Sequence, residues 1–319
     1  MIDIIIWIIV FLVSLTILVK ASDYFTDSAE TIGLYLKIPK FIIGVTIVAI
    51  GTSLPELVSS IIAVMQNNSE IVAGTVIGSN ITNIFLIIGV AAILSKKLQT
   101  THSLISVDLP ILMASAFFLT ITAIDGTFNP IEGILAIIAL TIYLLYTVES
   151  QKKNESDRIK KEIKGEVEKT KKPIKEIIIL LVSGVFIFLG AKYTIDSVIE
   201  IATIINIAPT IIAATIVALG TSLPELAVSI SAARKGKHEM AIGNILGSNI
   251  FNTFAVMGIP ALFGTLIVPD LMITYGLPIM IVATILYLFI TQDKEITKWE
   301  GATLIILYIL YIGKLINLF

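Results

Sequence analysis

The sequence predicts an all-α polytopic membrane protein of ten transmembrane helices, arranged as two inverted five-helix repeats. Three observations predict it. Apolar stretches of about twenty residues, the length that crosses a ~30 Å hydrocarbon core, recur along all 319 residues. Hydrophobic residues make up 56% of the chain and charged residues 14%, against ~25% charged in soluble domains. The segment from Phe41 to Ile93 recurs without a gap 169 residues later, with 26 of 53 positions identical.

The spans fall at residues 4–34, 40–65, 71–94, 104–124, 129–149, 174–200, 209–233, 240–263, 271–291 and 298–317. Breaks carry turn residues: Pro39, Asn67-Asn68, Asp125-Gly126, Asn129-Pro130, Pro209, Gly236 and Pro269-Asp270. The first span lacks a basic leader and a small-residue cleavage site, so it reads as retained rather than as a signal peptide. Tyr24-x-x-Asp27-Ser28 in the first span aligns with Tyr193-x-x-Asp196-Ser197 in the sixth. Asp27 and Asp196 are either snorkelling charges near a helix end or gate contacts between two sliding helices. His102 and His238 fall at loop edges. Glu70 and Glu239 open the third and eighth spans, where acids suit the helix dipole.

Loop charge alternates. Residues 151–172 hold nine Lys/Arg, and Lys37, Lys40, Lys96, Lys97, Arg234, Lys235, Lys237, Lys294 and Lys298 fall on the same side. The opposite loops, 66–70, 125–128, 201–208 and 264–270, hold none. By the positive-inside rule both termini lie outside and the central loop is cytoplasmic. The organisation is then a first five-helix repeat over 1–150, a basic linker over 151–172 and a second repeat over 173–319. Five is odd, so the second repeat enters the membrane from the opposite face. The net charge of −2 says little about partners. The expected surroundings are a lipid bilayer, with no nucleic acid and a monomer sufficient for function. The chain has no cysteine, which excludes disulfides, thiol nucleophiles and thiolate metal sites.

The repeated polar chemistry lies inside the apolar spans. Gly51-Thr52-Ser53-Leu54-Pro55-Glu56-Leu57 returns as Gly220-Thr221-Ser222-Leu223-Pro224-Glu225-Leu226. Gly78-Ser79-Asn80-Ile81 with Asn83 returns as Gly247-Ser248-Asn249-Ile250 with Asn252. Glu56 is the only ionisable residue from Phe41 to Val64, and Glu225 is equally isolated from Ile201 to Ala233. A charge at mid-bilayer costs at least ~2.5–3.5 kcal/mol. Thr52 and Ser53 precede Glu56 by three to four residues and share its helix face. Pro55 and Pro224 lack an N–H and displace the carbonyl four residues back, loosening the carbonyls of 49–52 and 218–221. Ser79 and Asn83, and Ser248 and Asn252, are spaced i, i+4 and face one way. Asn80 and Asn249 point elsewhere and read as structural, bonding backbone freed in a neighbouring helix. All these donors are oxygens, which suit hard cations. Many adaptable oxygens in a flexible shell favour Ca²⁺ over Mg²⁺, and the surplus points to additional monovalent sites.

These motifs resemble the α-repeats of the calcium/cation antiporter superfamily, above all its prokaryotic sodium/calcium exchangers, over essentially the whole chain. The resemblance implies that Glu56 and Glu225 bind Ca²⁺. It implies that Thr52, Ser53, Thr221, Ser222, Ser79, Ser248, Asn83, Asn252 and the carbonyls of Ala49 and Ala218 contribute to Ca²⁺ or Na⁺ sites. The implied function is secondary antiport of Na⁺ against Ca²⁺ by alternating access, electrogenic, without a cofactor. Potassium-dependent relatives carry Asp where this chain has Asn252, so K⁺ dependence is not expected. The alternatives are a proton/calcium exchanger, whose motifs differ, and, from another class, a cation channel. Enzymatic activity is not expected, because neither histidine lies in a motif and no aspartate pair lies in an apolar core.

Overall fold

The architecture follows from helices that hide their polar groups from lipid. A computed structural model describes residues 2–99, 108–153, 173–204 and 220–316. The helices are α1 (Ile2–Tyr35), α2 (Lys40–Met65), α3 (Glu70–Leu94), α4 (Asp108–Ala123) and α5 (Pro130–Lys153). They continue as α6 (Ile174–Ile204), α7 (Leu223–Arg234), α8 (His238–Ala261), α9 (Met272–Ile290) and α10 (Lys298–Leu315). Among the described residues, seven are long and apolar enough to cross a membrane: α1, α2, α3, α5, α6, α8 and α9. The expected spans 104–124 and 209–233 are described only in part, because 104–107 and 209–219 lie outside the described residues. The basic linker and His102 lie outside them too.

Burial sorts the helices into two sets. α3 and α8 are enclosed by protein along nearly their whole length. α1 and α6 pack lengthwise on each other and expose apolar rows such as Ile5, Ile9, Leu12 and Leu181, Val185, Phe188. Helices apolar on every side suit lipid rather than water. Their seam is close at Gly190, whose added Cβ would lie 2.9 Å from the Leu18 nitrogen, and Thr194 Oγ1 bonds Ser14 Oγ at 3.0 Å.

Contacts recur in matched pairs at the offset of the sequence repeat. β1 (Lys97–Gln99) pairs antiparallel with β4 (Glu295–Thr297), and β2 (Thr127–Phe128) with β3 (Leu266–Ile267). Gly89 abuts Gly301, and Gly133 abuts Gly258. Each second pair is the first shifted by 168 or 169 residues, with its members exchanged. The same shift relates two capping boxes, Asn129 with Glu132 before α5 and Thr297 with Glu300 before α10. It also relates two π-helical turns, Asn83–Ile87 in α3 and Asn252–Val256 in α8. Further π turns lie at Gly44–Val48 and Met272–Gly276. The strands and π turns add to the expected helical fold; both are too short to leave a periodic signal.

Gly89 and Gly74 separate packing from propensity. A Cβ on Gly89 would lie 2.8 Å from the Gly301 carbonyl oxygen, whereas one on Gly74 meets nothing within 4 Å. Gly89→Ala is expected to cost ~1–3 kcal/mol by overpacking. Gly74→Ala should be neutral or stabilise by up to ~1 kcal/mol through helix propensity. Thermal unfolding of both variants in detergent checks this, and equal Tm values would refute the close α3–α10 approach.

Candidate functional site

The site lies where α2, α3, α7 and α8 converge. Glu56 projects from α2 and is 2% exposed; Glu225 stands in the first turn of α7 and is 1% exposed. The two carboxyl groups are neighbours. Ser53 Oγ donates to Glu225 Oε1 across the repeat boundary at 2.9 Å. Ser79 and Thr221 hydroxyls bond at 3.0 Å, again across the boundary. Thr52 Oγ1 lies 3.3 Å from both the Ala49 carbonyl and Asn244 Oδ1. Every described residue that the sequence singled out for ion binding is buried (Ala49, Thr52, Ser53, Glu56, Ser79, Asn83, Ser222, Glu225, Ser248 and Asn252), save Thr221, which is half-buried; the bonds Ser53–Glu225 and Ser79–Thr221 bring the two repeats together there. Ala218 lies outside the described residues.

Several of these atoms are buried without a hydrogen-bond partner: both Glu56 oxygens, Glu225 Oε2, Asn83 Oδ1, Asn252 Oδ1 and Nδ2, and the hydroxyls of Ser222 and Ser248. Each unsatisfied buried polar group costs ~1–3 kcal/mol, more when charged. Buried polar atoms are ordinarily bonded, so a concentration of exceptions needs a physical account. Seven of the eight are oxygens, the donor type of hard cations. Among the described residues no three His, Cys, Asp or Glu side chains cluster. Hydroxyls and amides make up the rest of the donor set.

Local backbone irregularity aims these groups. Asn83 and Asn252 each open a π turn, and the Met257 N–H reaches back five residues to the Asn252 carbonyl at 3.1 Å. Such turns mark functional sites in helices. The two prolines differ, contrary to the expectation of two equal kinks. Pro55 lies inside continuous helix, whereas Pro224 sits in the first turn of α7, with Ser222 as N-cap. At a first turn the missing N–H has no helical partner to lose. Glu225 is therefore held at a helix N-terminus and Glu56 in mid-helix.

Asn80 and Asn249 take the structural role expected of them. Asn80 Nδ2 donates to the Asn249 carbonyl at 3.4 Å and to Thr253 Oγ1 at 3.1 Å, and Asn249 Nδ2 returns to the Asn80 carbonyl at 3.2 Å. Asn249 Oδ1 also accepts from Asn83 Nδ2 at 2.8 Å, which turns the Asn83 oxygen away from that bond. Sequence reasoning missed Asn244, which takes the Thr52 hydroxyl and donates to Ser229 Oγ at 2.9 Å. Its repeat counterpart is Thr75, so the repeat comparison passed over it; an amide in an apolar span was the available signal.

The two candidate gate residues part company. Asp27 pairs with Lys235 at 2.8 Å and Lys237 at 2.5 Å, on the turn between α7 and α8. It is neither in the ion-site locus nor a lone snorkelling charge. Asp196 is half-buried on α6 and makes no ion pair with a described residue.

A buried carboxylate and amides inside apolar, lipid-length helices, with a second buried carboxylate on α7 beside them, mark a membrane protein of the transporter class. The chain belongs to the sodium/calcium exchanger protein family, whose model matches residues 6–149 and 175–316. It is 36% identical to the sodium/calcium exchanger MaX1 of Methanosarcina acetivorans over 95% of this chain and 96% of that one. It is 30% identical to the inner membrane protein YrbG of Escherichia coli, over 91% and 90%. Among solved structures it resembles the sodium-calcium exchanger NCX_Mj soaked with Na⁺ and Ca²⁺, with TM-score 0.82 and 29% identity over 97% of this chain and 98% of that one.

The asparagine pair yields a stability prediction. Asn80→Ala and Asn249→Ala should each cost ~1–3 kcal/mol, because each strands a buried partner. The double variant should cost clearly less than their sum, since both lesions fall in one network. Unfolding of the three variants in detergent measures this, and strict additivity would mean that the reciprocal bonds do not form.

Proposed function

We propose that this chain is a secondary antiporter that exchanges Na⁺ for Ca²⁺ across the membrane by alternating access, and that the exchange is electrogenic. The observation that carries the reading is the buried Glu56–Glu225 pair among unpartnered oxygens. Two carboxylates balance one Ca²⁺. Hydroxyl, amide and carbonyl oxygens of Thr52, Ser53, Ser79, Asn83, Thr221, Ser222, Ser248, Asn252, Ala49 and Ala218 complete Ca²⁺ or Na⁺ shells. NCX_Mj, similar over nearly the whole chain, is named for this exchange.

The two repeats are inverted about a pseudo-two-fold axis in the membrane plane. The exchanged pairs Gly89–Gly301 and Gly133–Gly258, and the reciprocal Asn80–Asn249 bonds, support that relation. Inverted halves can trade conformations, so one site opens to either side in turn. The protein has ten spans, works as a monomer and keeps both termini outside, with 151–172 as a cytoplasmic linker joining the repeats. α1 and α6 form the moving element, because they share a long seam and lie outside the helices that carry the oxygens. Asp27 and Asp196 sit on that element and act at its gates.

Three Na⁺ in place of one Ca²⁺ leave one net positive charge on the loaded site, because the amides of Asn83 and Asn252 stay neutral. Membrane voltage then biases exchange by ~2.3 kcal/mol per charge per 100 mV. The test is Ca²⁺ uptake into Na⁺-loaded vesicles of purified protein, with voltage set by K⁺ and valinomycin. Uptake is expected to require the Na⁺ gradient and to rise with inside-positive voltage, which draws the extra charge out. Glu56→Gln and Glu225→Gln should each reduce it at least a hundredfold. Uptake driven by a pH gradient and indifferent to Na⁺ would replace the reading with proton/calcium exchange. Conductance without any counter-ion would replace it with a channel. Na⁺-driven uptake indifferent to voltage would reject the three-for-one count.

A further inference from the structure

Between α1 and α7 runs a groove with a cavity of about 390 Å³, within the range of small-molecule sites. Its walls are apolar: Leu15, Leu18 and Val19 on α1 face Leu226, Ala227 and Ile230 on α7. The spacing puts each set on one helix face. Its far end is charged, lined by Asp23, Ser231, Arg234 and Lys235. The site is amphipathic along its length; Leu223 and Leu226 of the second repeat motif lie in its wall, flanking Glu225, but none of the ion-binding oxygens does.

A charge ledger picks out one residue. Asp23, Asp27 and Glu30 of α1 are met by Lys40, Lys235 and Lys237, through contacts of 2.5–3.5 Å. Ser231 Oγ donates to Asp23 Oδ1 at 2.6 Å, and Lys235 Nζ to the Asp23 carbonyl at 2.8 Å. Three acids and three lysines balance. Arg234, exposed at the same end, makes no ion pair with a described residue. A planar guanidinium binds phosphate in bidentate fashion.

We propose that this groove is a binding site for one anionic phospholipid, its phosphate on Arg234 and its chain along the apolar walls toward Leu15. Charge complementarity selects the headgroup: Asp23 is paired with Lys235 and hydrogen-bonded by Ser231, which leaves Arg234 to hold an anion. The occupant is taken from the leaflet that meets the Arg234 end, the cytoplasmic one if the proposed orientation holds; binding itself does not depend on that orientation or on the transported ions. The chain lies in the seam between α1 and α7, so the lipid links the packing of those helices to headgroup charge.

The test is native mass spectrometry of the full chain in detergent, titrated with phosphatidylglycerol or phosphatidylcholine carrying the same acyl chains. One phosphatidylglycerol is expected to bind at least tenfold more tightly than phosphatidylcholine. Arg234→Gln should abolish that preference, Arg234→Lys should restore part of it, and Ala227→Phe, which fills the groove, should weaken both lipids. Arg234 is exposed, so its variants decide the matter even if Ala227→Phe fails to fold. Equal binding of the two lipids by the parent chain would overturn the site, as would a preference that survives Arg234→Gln. Retention of both lipids by a folded Ala227→Phe would overturn the groove as its location.

Discussion

Two acidic side chains held side by side away from water set the terms for the rest of this molecule. Glu56 and Glu225 are almost fully enclosed, and each is the one acidic residue of its helix. Like charges in a low dielectric repel strongly, and each loses hydration on burial. Ser53 supplies a hydrogen bond to Glu225, whereas both Glu56 oxygens have no protein partner. Protein groups alone therefore do not compensate the pair. A cation does so directly, and on the proposed reading the need for one makes ion binding and a stable arrangement the same event.

The packing around the pair preserves that incompleteness. π turns open with Asn83 and Asn252, whose side-chain amide oxygens are buried without a hydrogen-bond partner. Glycines let neighbouring backbones meet: the Gly89–Gly301 and Gly133–Gly258 contacts leave little room for side chains. Asn80 and Asn249 fasten α3 to α8 by reciprocal bonds, so the oxygen-bearing faces stay in register. Rigid support beside unsatisfied oxygens is the arrangement that a functional site requires.

Much of this was legible because the sequence states it twice. Glu56 and Glu225 were visible as isolated acids in apolar spans, and their Thr, Ser and Asn companions followed from helical spacing. What escaped was whatever the repeat does not duplicate or whatever leaves no periodicity. Asn244 opposes Thr75 in the repeat, so it offered no echo. Pro55 and Pro224 have identical neighbours in sequence, yet one lies within a helix and the other begins one; local sequence could not tell them apart. Asp27 and Asp196 look equivalent as well, but Lys235 and Lys237 correspond to Gln66 and Asn68, so only Asp27 gains lysine partners. The asymmetry is in the sequence, but only the fold brings those loop lysines to α1. β1 to β4 are two or three residues each, below any pattern a sequence can display.

The central claim is that Ca²⁺ and Na⁺ use one set of oxygens drawn from both repeats. Equilibrium binding of radioactive Ca²⁺ to the purified chain, titrated with Na⁺ at constant ionic strength, tests it most directly. The account predicts one Ca²⁺ per chain, displaced by Na⁺ with a Hill coefficient above one, because several Na⁺ replace a single divalent ion. Ca²⁺ binding that Na⁺ leaves unchanged would contradict a shared site.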